Sequence, residues 1–411
     1  MSITVGDDQP VTTIELQRPT LPDRFPGLER LGPDGRPFVH ADAPGGTQVA
    51  ASVIEAMGDY QRSSNANPNR PYATSLETAA MVDDTRERFA AFVGGDPAGI
   101  VFGPNMTSLT WHFSRAFERT LRAGDGIVCT QLDHDANVSP WLAIAERVGA
   151  SVSFVALDRE TCELDPASLE RVVDERTRLI AFTRTSNLVG TVVSPAPFVE
   201  AARAVGAITY SDGVAAAAHG PLRQLEWGID VQVCSPYKFF GPHMGVLSMR
   251  PELVDRLTPD KVRPAPSSGP RRWETGMVSF ESVAGLAAAL RYVDAIGFDT
   301  IARYERSLTA RTLAALAAIP GVTLHGKEGV EGREATFALS VDGVAPREVS
   351  ERLAADGVFV SAGTNYAIEP LRALGLSDTD GVVRMGFVHY HSPADVDRTV
   401  AALARLAEEA A

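Results

Sequence analysis

The chain has 411 residues, 45% hydrophobic and 22% charged, with a formal net charge of −14 and a pI near 5.1, which allows one large and one smaller domain and argues against nucleic acid or an anionic membrane surface as a partner. Its three cysteines, Cys129, Cys162 and Cys234, have no metal-ligand spacing and suit a reducing compartment. With no basic-then-apolar leader and no apolar run near the ~18 residues of a membrane span, the expectation is a cytoplasmic protein without a membrane partner.

Residues 1–40 are rich in Pro, Gly and charge. From about residue 100, short β-type runs alternate with amphipathic helical runs. "IVF" precedes "MTSLTWHFSRAFERTL", "GIVCT" precedes "VSPWLAIAERVG", and "SVSFVAL" precedes "DPASLERVVDE", where Asp165 is expected to cap a helix begun by Pro166. "RLIAFTR" precedes "SPAPFVEAARAVG", and "AITYSD" and "WGIDVQVCS" follow. This alternation predicts an α/β fold, a mostly parallel sheet between helices, with ligands outside the carboxyl ends of the strands. Residues 263–280 read as loop, then two long helices run from Glu281 to Ile319. Short strands ("VTLHG", "ATFALSV", "GVFVSA", "GVVRMGF") and the helices "PREVSERLAADG" and "SPADVDRTVAALARLAEEAA" predict a smaller α+β domain.

Polar residues recur where strands end. Lys238 follows "VQVCSPY", Asp212 ends "AITYSD", Asn187 follows "RLIAFTRTS", His134 follows "GIVCTQLD", and Met106 and Thr107 open a helix after "IVFGPN". Singly, each has an ordinary reading as a turn, cap or loop residue. Together they match the needs of pyridoxal 5′-phosphate: an amine for the aldehyde, a carboxylate for the ring nitrogen, a flat ring for its face, and helix N–H groups for the phosphate.

The motifs then become specific. "VHADAPGGTQVAASVIEAM", "NANPNRPYATS", "LDHDANVSPW", "RTSNLVGTVVS", "YSDGVAAAAHG", "CSPYKFFGPHMG" and "VVRMGFVHYHSPADVD" resemble segments of the class V aminotransferase family, fold-type I pyridoxal-phosphate enzymes, in its cysteine-desulfurase-like branch. The resemblance runs from about residue 40 to the C-terminus. It implies a large cofactor-binding domain with a seven-stranded sheet (41–265) and a smaller C-terminal domain (266–411), the 1–40 segment packing with the latter. It assigns Lys238 to the aldehyde, Asp212 to the ring nitrogen, His134 to the ring face, Ser235 and Tyr237 to the phosphate, and Asn187 to the 3-oxygen or the substrate. Arg384 takes the substrate carboxylate, with Gly45 and Tyr366 bordering the substrate. It also implies a homodimer with Arg70 and the 270–280 loop reaching across, where Ser279 stands for a threonine that contacts the partner's phosphate.

Several positions depart from that pattern. Tyr366 stands where desulfurases of the branch carry a persulfide-forming cysteine, Ser361 replaces an arginine, Tyr237 a histidine, and Ala215 the glutamine of "DGAQA". His389 and His391, two apart, read as a possible metal pair or as two unrelated loop-edge residues. The resemblance implies an enzyme acting on a small α-amino acid by β-elimination or carbon–sulfur cleavage. The alternatives are an aminotransferase, an epimerase, or a cofactor-binding scaffold without turnover.

Overall fold

The computed structural model describes residues 17–32 and 34–411; residues 1–16 and 33 of the expected 1–40 segment lie outside the described residues. Seven strands form the main sheet: β1 (Ile100–Gly103), β2 (Gly126–Thr130), β3 (Ser151–Val155), β4 (Thr177–Thr183), β5 (Ile208–Asp212), β6 (Val231–Cys234) and β7 (Gly245–Met249). Their order in space is β1-β7-β6-β5-β4-β2-β3, and only β7 runs antiparallel to its neighbours. Successive side chains of a strand point to opposite faces. Ile127, Cys129, Leu179 and Ala181 therefore pack on the side of α3 (Met106–Glu118) and α4 (Ser139–Val148). Val128, Ile180 and Phe182 pack on the side of α5 (Pro166–Val172) and α6 (Ala196–Val205). Both faces are covered, so these strands read as continuous apolar runs.

Before the sheet come α1 (Ala51–Ser63) and α2 (Ala73–Val93). The short helices α7 (Gln224–Trp227) and α8 (Pro251–Arg256) flank β6 and β7. The expected helical pair is present as α9 (Phe280–Ile296) and α10 (Phe298–Leu316), and α9 packs against α1 and α2. A second, antiparallel sheet follows in the order β10-β11-β9-β8, from β8 (Val322–His325), β9 (Thr336–Val341), β10 (Ser361–Gly363) and β11 (Val382–Gly386). Its helices are α11 (Pro346–Ala355), α12 (Ile368–Leu374) and α13 (Pro393–Ala410). The segment before α1 joins this sheet through single bridges, Val39 to Val358 and Asp42 to Gly386.

Local signals act as the sequence predicts. The Asp165 side chain accepts from the Ala167 N–H and Pro166 opens α5. Ser392 and Asp395 form a reciprocal capping box on α13. Two readings need correcting. The strand expected over "WGIDVQV" begins only at Val231, because Trp227 ends α7 and Gly228 is left-handed. "GVFVSA" forms a regular strand only from Ser361. Among the described residues no helix is long and apolar enough to cross a membrane.

Candidate active site

The carboxyl ends of β1, β2, β4, β5 and β6 open on one cleft of about 490 Å³. Met106, Thr107, His134, Asn187, Asp212, Ser235, Tyr237 and Lys238 line it, with Asn105, Thr183, Thr185, Val214 and Ala215. One wall is the start of α3. The Asn105 side chain caps that helix by accepting from the Ser108 N–H at 2.8 Å, and the first-turn N–H groups form an anion-binding end. A Cβ at Gly245 would lie 2.3 Å from the Asn105 carbonyl carbon, so only glycine lets β7 approach the helix start this closely.

Asp212, the last residue of β5, is buried and accepts the Val214 N–H at 2.8 Å. Burial raises its carboxyl pKa to about 6, against the pull of that N–H and of Lys238. Lys238 ends the turn after β6, and its Nζ donates to the Pro44 carbonyl. Burial and the Arg384 guanidinium lower its amine to about 7, with Asp212 opposing. Tyr237 stacks on His243 with centroids 5.0 Å apart.

The His134 Nδ1 accepts the Ala136 N–H at 3.0 Å. Burial, then the charges of Lys238 and Arg384, lower its pKa to about 3, so the ring is neutral. It stacks on Tyr366, with centroids 5.5 Å and planes 24° apart. Tyr366 is 71% exposed, and both Asn365 and Tyr366 hold left-handed backbone. Hydrogen bonds tie this turn to the cleft: the Asp135 N–H donates to the Tyr366 carbonyl at 2.7 Å, and the Asn187 amide to the Asn365 carbonyl at 2.8 Å.

Arg384 on β11 is buried and donates to the Asn187 carbonyl at 2.9 Å. Its Nε has no partner among the described residues. Gly45 lies against it; a Cβ there would be 3.4 Å from the guanidinium and 3.0 Å from the Asp42 carbonyl. Ser279 is not part of its own chain's cleft: it caps α9, accepting from the Ser282 N–H. Arg70 is exposed, and its segment is tied to the 270–272 turn by the Arg271–Asn69 hydrogen bond.

A second chamber of about 390 Å³ adjoins the first at Lys238, Thr185, Asn187 and Ala215. His219 borders it, its Nδ1 2.6 Å from a Glu305 oxygen and 3.9 Å from Glu334. Burial alone would lower His219, but Glu305 and Glu334 bring it up to about 9. His389 and His391 do not face one site. The first pairs its Nε2 with the Tyr292 hydroxyl at 2.7 Å; the second places its Nδ1 at the Val388 N–H and its Nε2 at the His40 carbonyl.

The cleft suits pyridoxal phosphate in donor set and in unmet need. It holds a near-neutral amine, a buried carboxylate, a flat imidazole and a helix N-terminus. Thr185 Oγ1 and Asn187 Oδ1, buried on its walls, have no partner among the described residues, as expected where a polar ligand belongs. Reasoning from sequence missed Thr185. Its signal was register: Thr183 pairs with Asp212, which sets Thr185 two residues past the strand end beside the carboxylate.

The Aminotransferase class-V family model matches residues 39–399. A probable cysteine desulfurase 2 of Mycobacterium leprae is 32% identical over 402 residues, covering 93% of this chain and 94% of that one. A cysteine desulfurase of Pectobacterium atrosepticum is 30% identical, covering 91% and 94%. Among solved structures, an apo cysteine desulfurase from Thermococcus onnurineus shares the fold with a TM-score of 0.87 at 24% identity, covering 95% and 100%. A cysteine desulfurase from Escherichia coli gives 0.82 at 26% identity, covering 91% and 96%.

Proposed function

The chain belongs to the class V aminotransferase family, whose members are pyridoxal-phosphate enzymes, and on that premise we propose that it cleaves a carbon–sulfur bond at the β-carbon of a small, cysteine-like amino acid. The observation that carries this reading is the meeting of Lys238, Asp212, His134 and a helix N-terminus in one cleft, with Arg384 buried beside it.

In this reading Lys238 holds the cofactor aldehyde, Asp212 the ring nitrogen, His134 the ring face, and the start of α3 with Ser235 and Tyr237 the phosphate. When bound, the ring supplies an electron sink for the pair released at the substrate's α-carbon. The residues do the rest. Arg384 binds the substrate carboxylate through a planar fork of donors, and Gly45 leaves room for it. Burial and the Arg384 guanidinium lower the Lys238 amine, which favours the unprotonated form that accepts the α-proton. Asp212, held by the Val214 N–H, keeps its charge opposite the nitrogen. Tyr366 and its turn cover the outer face of His134 and narrow the mouth.

All three cysteines are buried and none lies in the 361–372 segment, where Tyr366 stands in the desulfurase cysteine's place. We therefore assign the sulfur a direct exit. Elimination breaks the Cβ–S bond, the thiolate leaves with the bonding pair and takes a proton, and hydrolysis of the remaining enamine gives ammonia and a keto acid. The test is incubation with L-cysteine and S-alkyl cysteines without added keto acid. Equal release of pyruvate and thiol supports the reading; a strict keto-acid requirement replaces it with transamination.

We also propose a homodimer closing over the cleft. Exposed Tyr72 and Leu76, and exposed Met277 beyond the 270–272 turn, lie on the segments that Arg271 ties together. Sedimentation of a monomer at micromolar concentration would contradict this.

A further inference from the structure

The cleft raises a question of hydrogen-bond sign, and its answer rests on the cofactor reading above. The ring of pyridoxal phosphate fixes the order of its edge: the phenolic oxygen lies next to the aldehyde, away from the phosphate arm. With Lys238 at the aldehyde, Asp212 at the nitrogen and α3 at the phosphate, that oxygen falls to the wall made by Thr185, Asn187 and Ala215. A phenolate there needs a donor.

Asn187 has one of its two amide N–H groups committed elsewhere, to the Asn365 carbonyl at 2.8 Å. A backbone carbonyl only accepts, which fixes the amide's orientation. Its Oδ1, an acceptor, has no partner among the described residues. Ala215 has no polar side chain at the place where the family pattern carries a glutamine. The Thr185 hydroxyl is the wholly uncommitted donor on this wall. It is buried, borders both chambers, and has no partner among the described residues. Its backbone is held on both sides: the Thr183 hydroxyl donates to the Thr185 carbonyl at 2.8 Å, and Thr185 bridges to Val192.

We propose that Thr185 donates the hydrogen bond to the phenolic oxygen of pyridoxal phosphate, and that Thr185 with Ala215 is an exchange for the glutamine of the family pattern. Asn187 is thereby released to tie the cleft to the Tyr366 turn.

The experiment titrates apoprotein with pyridoxal phosphate, reading the visible band for affinity and then its pH midpoint. Thr185→Val keeps the shape and removes the donor. It should weaken binding about tenfold or more, the usual cost of losing a bond to a charged acceptor. A donor to the oxygen favours its charged form, so the pH midpoint of the band should rise by about one unit in that variant. Thr185→Ser should match the parent, and Ala215→Gln placed in the Thr185→Val background should recover most of the affinity. A Thr185→Val protein with native circular dichroism, parental affinity and parental midpoint overturns the assignment while the cofactor reading stands. So does a Thr185→Ser protein as weak as Thr185→Val. A parent chain that forms no band overturns the cofactor reading and this assignment with it.

Discussion

Two buried polar clusters sit close together and are built on opposite plans. At the His219–Glu305–Glu334 cluster, charges meet. Burial would raise the Glu305 carboxyl, yet His219 brings it down to about 2, and the His389 N–H donates to it at 2.8 Å. In the cleft the shifts run toward neutrality: Lys238 falls to about 7 and Asp212 rises to about 6. The Thr185 hydroxyl and the Asn187 amide oxygen there have no partner among the described residues. One cluster pairs its own charges; the other keeps polar atoms uncommitted. Paired buried charges fix the packing of α10 against the segment after β11, whereas unpaired ones are groups ready to react.

The contrast yields experiments that break one cluster and spare the other. Lys238→Ala should reduce turnover by about 10³-fold or more and abolish the visible band. It should leave the apoprotein as stable as the parent or more so, since the variant buries no amine; thermal unfolding checks this. Glu305→Ala should do the reverse, destabilising the fold by about 3–5 kcal/mol, because it strands the His219 imidazole and the His389 N–H; denaturant unfolding reads this.

The pair also has a pH signature. The folded pKa of His219 lies above its unfolded value, so its contribution is complete below about pH 6.5 and is lost as pH rises through about 9. Glu305→Gln should remove most of that alkaline decline, and an unchanged decline would assign it to other groups. Arg384→Ala should raise KM for the amino acid by about 10- to 100-fold, with a smaller effect on cofactor affinity. Dominant cofactor loss would remove Arg384 from the carboxylate. The smallest effect belongs to Tyr366→Ala, which unstacks one face of His134 and should weaken cofactor binding by about two- to tenfold.

Much of this was legible in the sequence because both faces of the main sheet are covered: strands such as "RLIAFTR" stand out as apolar runs, and helix starts carry plain caps at Asp165 and Ser392. Other elements were hidden for physical reasons. The inner face of α2 buries Ser75, Thr78, Thr85 and Arg86, which blurs its apolar period; Thr78 and Thr85 bond back to the preceding turn. The strand β7 lies within the glycine-rich stretch after Lys238, and α12 has only seven residues with a proline inside. At the site, strand ends located Lys238, Asp212, His134 and Asn187. The direction of the Asn187 amide was not legible, because the Asn365 carbonyl that sets it is 178 residues away. Thr185 went unread for the same reason: an unpaired hydroxyl is visible only once its neighbours are in place.

The central claim is a covalent bond between Lys238 and a pyridoxal aldehyde. Protein incubated with pyridoxal phosphate, reduced with borohydride, digested and analysed by mass spectrometry tests it most directly. The account predicts one reduced pyridoxyl group per chain, on Lys238, absent from Lys238→Ala. Label on Lys261 or Lys327, with Lys238 unmodified, would contradict it.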